Sequence, residues 1–195
     1  MTDLLLNGVI FLVTAVITVF VIFRRDGRWD PEKGKWAMRF FTVLSNLFCA
    51  GAALLMCLFP DSRGVWMLKY AGTAAVTVTM LTVFLFLAPS MGKGGLAKLL
   101  KGADLFMHLI TPLLALVSFC VFEKRGMSFG TALFGMISVI LYGPWYLYRV
   151  VYAPEEKRWE DFYGFNKGGK WAVSFAMMAA GTFLICMGLM ALQNL

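Results

Sequence analysis

The chain has 195 residues, of which 60% are hydrophobic and only 15% charged, and its net charge is +7. A soluble domain is about half apolar and about a quarter charged. This composition excludes a soluble globular domain, a disordered chain and a disulfide scaffold, and it points to a polytopic membrane protein.

Six windows contain no Asp, Glu, Lys or Arg: 4–23, 40–60, 70–92, 105–122, 126–148 and 171–195. A hydrocarbon core about 30 Å thick needs about 20 apolar residues of helix. Backbone in lipid must satisfy its own hydrogen bonds, so each window predicts a helix. The expected fold is all-α, a single six-helix transmembrane domain over residues 1–195. The first window is too long for the apolar stretch of a signal peptide and lacks a basic leader. Arg24 and Arg25 follow it as a stop-transfer flank would, so it is expected to stay as a helix.

The loops follow in chain order. The first, 24–35, is polar and turn-rich. The second, 61–65, is so short that helices two and three are expected to form an antiparallel hairpin. The third holds Met91-Gly92-Lys93-Gly94-Gly95, which lacks the spacing and preceding strand of a phosphate-binding loop. The fourth, 123–125, is a tight turn. The fifth, 153–170, mixes charges with Trp159, Phe162, Tyr163 and Phe165, and is expected to lie along the interface or to cap a pocket. Ala172, Ala176 and Ala180, spaced by four, are expected at a helix–helix contact, as are Gly51, Ala52 and Ala53.

Of the 18 Lys and Arg residues, 14 flank the first, third and fifth loops; Arg63, Lys69, Lys124 and Arg125 lie on the other side. The positive-inside rule puts the odd loops in the cytoplasm and both termini outside. Basic residues at helix flanks read as topology signal and headgroup contact, so nucleic acid is not an expected partner. Cys49, Cys57, Cys120 and Cys186 all fall within the apolar windows and none has metal-ligand spacing. No metal, haem or other cofactor is expected, and the single histidine cannot supply a bis-His haem site.

Polar side chains in lipid usually face the bundle interior. Arg39, Thr42, Ser45 and Asn46 follow one another at helical offsets of three and four in the second helix; Asp104 and His108 are four apart in the fourth. Thr42 and His108 each lie about six residues inside their helix starts, on the order of 9 Å deep. Tyr142 and Trp145 reach a similar level from the fifth helix. A hydroxyl nucleophile needs a neighbouring base, itself commonly oriented by a third group. Thr42, His108 and Asp104 supply those residue types, Asn46 is a candidate oxyanion donor, and Arg39, Ser45, Tyr142 and Trp145 are candidate pocket residues. Each also has a bland reading. A Thr in a membrane helix bonds its own i−4 carbonyl, a lone His packs, an Asp at a helix start meets the dipole, an Arg snorkels, and Tyr and Trp form an interfacial belt.

Three segments carry a resemblance: Phe40-Phe41-Thr42-Val43-Leu44-Ser45-Asn46-Leu47, Met107-His108-Leu109-Ile110-Thr111-Pro112-Leu113 and Tyr142-Gly143-Pro144-Trp145-Tyr146-Leu147-Tyr148. In this order the chain resembles a family of small six-helix membrane proteins that includes bacterial Pr6Pr-type proteins and the androgen-induced gene 1 and androgen-dependent TFPI-regulating proteins of animals. The animal members are intramembrane threonine hydrolases that cleave fatty acid esters of hydroxy fatty acids. The resemblance implies Thr42 as nucleophile and His108 as the family histidine; it implies nothing for Asp104, Asn46 or Arg39.

The expected function is hydrolysis of a membrane lipid ester in a bacterial inner membrane, with lipids as partners. The alternatives are a non-enzymatic lipid-binding or scaffold protein and, behind it, a small transporter.

Overall fold

The computed structural model describes residues 1–195. Six helices are long and apolar enough to cross a membrane, and the protein is an all-α integral membrane protein. Helix α1 is Thr2–Ile22; a two-residue hairpin, β1 (Arg24–Arg25) with β2 (Arg28–Trp29), follows. Asp26 and Gly27 both have positive φ, as the tight turn between paired strands demands. Helix α2 (Pro31–Ala37) starts on Asp30, whose carboxylate accepts from the Lys33 N–H at 2.9 Å. The spans continue as α3 (Phe41–Leu58) and α4 (Arg63–Ser90); the short α5 (Gly95–Leu99) follows, then α6 (Ala103–Phe122), α7 (Phe129–Tyr152) and α8 (Trp171–Asn194).

Helix α4 is the hub, packing against α3, α6, α7 and α8, while α1 packs on α3 and α6. Its middle, Ala71-Gly72-Thr73-Ala74-Ala75-Val76-Thr77-Val78, is small on every side and wholly buried. Small residues let backbones approach where lipid supplies no hydrophobic drive. Thr73 and Thr77 donate to the carbonyls one turn back, at 2.9 and 2.7 Å. A Cβ on Gly72 would stand 2.8 Å from Cys49 Cα, so α3 and α4 cross there in backbone contact. Gly72→Ala is expected to cost about 1–3 kcal/mol as overpacking, read as a lower thermal midpoint in detergent; Gly51→Ala, at an exposed position with open space, is expected to change nothing.

Two expectations are corrected. Helix α4 begins at Arg63, seven residues before the charge-free window, so Lys69 belongs to the helix and not to a loop flank. The Ala172, Ala176 and Ala180 stripe is exposed; α8 makes its contacts through other faces, burying Thr182, Cys186, Leu189 and Gln193.

Several helices widen to π turns. Those at Thr18–Ile22, Ser118–Phe122 and Tyr148–Tyr152 end their helices, each closed by the next residue's N–H five residues on. The turn at Phe106–Ile110 lies inside α6 and holds His108. Pro112, four residues after His108, has no N–H to give the His108 carbonyl, which accounts for a wide turn at that place.

Candidate functional site

Helix α3 has no side-chain cap of its own. Its first N–H, from Phe41, donates instead to the hydroxyl of Tyr163 at 2.9 Å, and Tyr142 donates to the Arg39 carbonyl at 2.6 Å. Thr42 therefore stands in the first turn of a helix, at the positive end of its dipole; the next N–H groups, of Val43 and Leu44, already donate to the Phe40 carbonyl at 3.1 and 3.2 Å. Burial pushes the Tyr163 phenol up, while the Phe41 N–H, the Tyr142 hydroxyl and the N–H and hydroxyl of Thr42 pull it the other way.

Tyr163 belongs to the fifth connection, which folds over the end of the bundle as a lid. Asp161 organises it, accepting from the Phe165 and Asn166 N–H groups at 2.9 and 2.7 Å and from the Tyr146 hydroxyl at 2.9 Å. Tyr146, Trp159, Phe162, Tyr163 and Phe165 pack together in the same cluster, with Phe162 and Phe165 meeting the Tyr146 ring edge to face.

Beneath the lid is a narrow, almost wholly apolar cavity of about 40 Å³, with Thr42, Thr79, Thr82, Tyr142, Tyr146 and Tyr163 as its polar lining. That volume holds a few water molecules and no acyl chain. A groove of about 660 Å³ lies against it between α4 and α8, walled by Leu81, Leu85, Phe86, Met177 and Leu184. Val78, Thr82, Leu87, Tyr163, Phe165 and Met178 belong to both, so the groove and the Thr42 cavity adjoin across a shared wall.

Of the residues singled out in the sequence, Thr42 and Tyr142 line the cavity. Ser45 and Asn46 stand behind it as ties between helices. The Ser45 hydroxyl pairs with that of Thr79 at 2.8 Å, joining α3 to α4. One Asn46 nitrogen donates both to the Thr42 carbonyl, at 2.8 Å, and to the Met107 carbonyl, at 3.0 Å. That amide does not face the cavity, so the reading of Asn46 as an oxyanion donor gives way to one in which it registers α3 against α6. Arg39 and Trp145 lie outside the cavity, around Trp159.

His108 is buried, next in the chain to the Met107 carbonyl that Asn46 holds, and is not among the cavity-lining residues. Its Nδ1 donates to the Leu99 carbonyl, at the end of α5, at 2.7 Å. Asp104 is exposed, and its carboxylate makes neither a hydrogen bond nor an ion pair. The group orienting the ring is thus a backbone carbonyl and not Asp104; a carbonyl only accepts, so Nδ1 carries a proton and Nε2 is the free position.

Sequence reasoning missed a second polar cluster. Lys69 Nζ donates to Asn7 Oδ1 at 2.5 Å and lies 3.8 Å from Glu123 Oε1, which also accepts from Asn7 Nδ2 at 2.7 Å and Ser118 Oγ at 2.5 Å. All four side chains are buried. They sit at the end of the bundle opposite the lid, beyond an apolar layer of Ile10, Cys49, Ala53, Val76 and Ala115. The signal for it was present: one Lys between Trp66 and Tyr70, in a stretch with no helix breaker.

Comparison with known proteins finds no matching family model, no matching curated protein and no matching solved structure.

Proposed function

We propose that the protein is an intramembrane hydrolase of acyl-lipid esters, with Thr42 as nucleophile and His108 as its base. The observation that carries this reading is the position of Thr42 in the lining of an apolar cavity that shares a wall with a lipid-facing groove. The ester of a membrane lipid reaches such a site sideways without crossing water. The three sequence segments that resemble the six-helix threonine hydrolases support the same assignment.

The chemistry runs through atoms of this chain. With its Nδ1 proton held by Leu99, a neutral His108 offers Nε2 to take the Thr42 proton. The Thr oxygen bonds to the ester carbonyl carbon, the alkoxide leaves, and the proton passes to it from Nε2. Water, giving its own proton to Nε2, then attacks the acyl-threonine and releases the acid while the threonine hydroxyl is restored. In this reading the developing oxyanion meets the positive end of the α3 dipole beside the Thr42 N–H. The odd loops lie in the cytoplasm of a bacterial plasma membrane in this reading, as the positive-inside bias requires.

A second reading, lipid binding without turnover, draws on one observation: no hydrogen bond joins His108 to Thr42, and the ring lies outside the cavity lining. Labelling of the detergent-solubilised protein with an alkyl fluorophosphonate separates the two. Hydrolysis predicts labelling that both Thr42→Ala and His108→Ala remove from folded protein. Labelling unchanged by either substitution overturns the mechanism and leaves binding.

A further inference from the structure

Two arginines converge on one indole at the lidded end of the bundle. Arg39, just ahead of α3, has its guanidinium carbon 5.5 Å from the centre of the Trp159 ring; Arg149, in the last turn of α7, has its own at 4.9 Å. The Trp159 N–H of the backbone donates to the Arg149 carbonyl at 2.9 Å, and Trp145 packs edge-on against the same indole at 4.6 Å. The arrangement is therefore fixed from the helix, the lid and the aromatic belt together.

Its charges are unbalanced. Neither arginine has a carboxylate within ion-pairing distance. The acids of the same connection are engaged elsewhere or turned away: Asp161 holds the lid, and Glu155, Glu156 and Glu160 are exposed. Trp159 is 6% exposed, yet its indole Nε1 is buried with no acceptor, and so is Nε of Arg149. A ring face attracts a guanidinium but uses none of its five N–H donors. Two positive charges within 5.5 Å of one ring, with unmatched donors on Arg149 and on the ring itself, ask for an anion that accepts several hydrogen bonds. A phosphate, with up to two charges and three acceptor oxygens, suits two guanidinium forks and an indole N–H better than a carboxylate does.

The surroundings say that the phosphate is borne by a lipid. Leu141, Trp145 and Tyr148 are all exposed along α7 at spacings of four and three, which is one helix face, and Tyr152 is exposed in the wide turn beyond them. That face leads from the Trp159 cluster toward the membrane interior and offers acyl chains a bed. Basic clusters at the cytoplasmic ends of membrane helices, where the positive-inside count puts this end, are where anionic headgroups settle. We propose that Arg39, Arg149 and Trp159 form a binding site for a lipid phosphate monoester, of the phosphatidic acid class, on the outer face of α7. The site is separate from the Thr42 cavity and independent of hydrolysis there.

The test uses the full chain in detergent and reads the thermal shift on adding dioleoyl phosphatidic acid. The wild type is expected to be stabilised by phosphatidic acid and not by dioleoyl phosphatidylcholine. Arg39→Gln with Arg149→Gln is expected to weaken the binding at least tenfold, since charge-assisted hydrogen bonds are lost. Arg39→Lys with Arg149→Lys, which keeps stems and charge and so guards against misfolding, is expected to weaken it about tenfold for want of the planar forks. Trp159→Phe, which keeps a ring under both arginines, is expected to weaken it less. Arg28→Gln, on the exposed hairpin, is expected to leave it intact. Equal stabilisation by phosphatidylcholine, full binding by the double lysine variant, or equal loss on Arg28→Gln overturns the site. An equal shift from inorganic phosphate overturns the lipid assignment, and one from oleate overturns the phosphate assignment. Failure here leaves Thr42 labelling untouched, so the two readings fall separately.

Discussion

Lys69→Met is expected to cost about 3–5 kcal/mol, the range for breaking a buried ion pair from one side. The lysine is completely buried, and its loss leaves the Glu123 carboxylate inside the bundle with only neutral donors, Asn7 Nδ2 and Ser118 Oγ. It also strips Asn7 Oδ1 of its donor. Glu123 Oε2 is already buried without a partner, so the remaining charge has no second contact to fall back on. For a chain of this size the loss corresponds to a midpoint lower by on the order of 10 °C. The companion variant decides the cause. Lys69→Met with Glu123→Gln removes both charges and is expected to recover most of the stability, because the desolvation penalty disappears along with the attraction. A double variant as unstable as the sum of the singles would mean that the cluster matters for packing and not for charge. The pair closes the bundle where three helices meet, since Asn7 comes from α1, Lys69 from α4 and Glu123 from the end of α6. The Trp66 indole donates to the Glu123 carbonyl at 2.8 Å and Gln193 donates to the Phe119 carbonyl at 2.5 Å, so α8 is laced to the same layer.

The six spans were legible because charge is expensive in hydrocarbon, and its absence over 18 or more residues marks a span directly. The same rule hid Lys69: a window that stops at the first charge assigns a buried ion pair to the loops. Depth was legible only in part: His108 lies five residues past the start of α6, close to the expected six, but α3 starts at Phe41, so Thr42 stands in its first turn and not six residues in, and it is Asn46, one turn deeper, that reaches the Met107 carbonyl. Rotation was not legible. The offsets that put Thr42, Ser45 and Asn46 within one broad face of α3 do not say which of them meets a cavity; only Thr42 does, and its neighbours are spent on Thr79 and Met107. Asp104 and His108 share a face by the same arithmetic, but the wide turn at Phe106–Ile110 changes the angle per residue, and His108 meets Leu99 while Asp104 stays exposed. Tyr163 was visible only as one aromatic among several, because its role comes from a loop fold set by Asp161, a tertiary fact with no periodicity to betray it.

That fold makes the lid the second place where one substitution is expected to act strongly. Asp161 is the sole acceptor joining the Phe165 and Asn166 N–H groups to the Tyr146 hydroxyl. Hydrogen bonds to a charged group contribute about 1.5–3 kcal/mol each, but the carboxylate is half-buried and water replaces part of what is lost. Asp161→Ala is therefore expected to loosen the connection by about 2–3 kcal/mol locally, with the six spans intact. The readout is proteolysis between residues 153 and 170, which is expected to quicken by on the order of 30-fold or more while the thermal midpoint moves little. Tyr163 caps α3 at Phe41 and lines both the Thr42 cavity and the groove beside it, so an unfastened lid also opens the wall between them. With about 40 Å³ beneath the lid, the acyl chain of the proposed substrate would reach Thr42 only when Tyr163 and Phe165 move. Asp161→Ala is accordingly expected to speed fluorophosphonate labelling of Thr42, whereas labelling slowed in step with unfolding would mean that the lid holds the helices and not that wall.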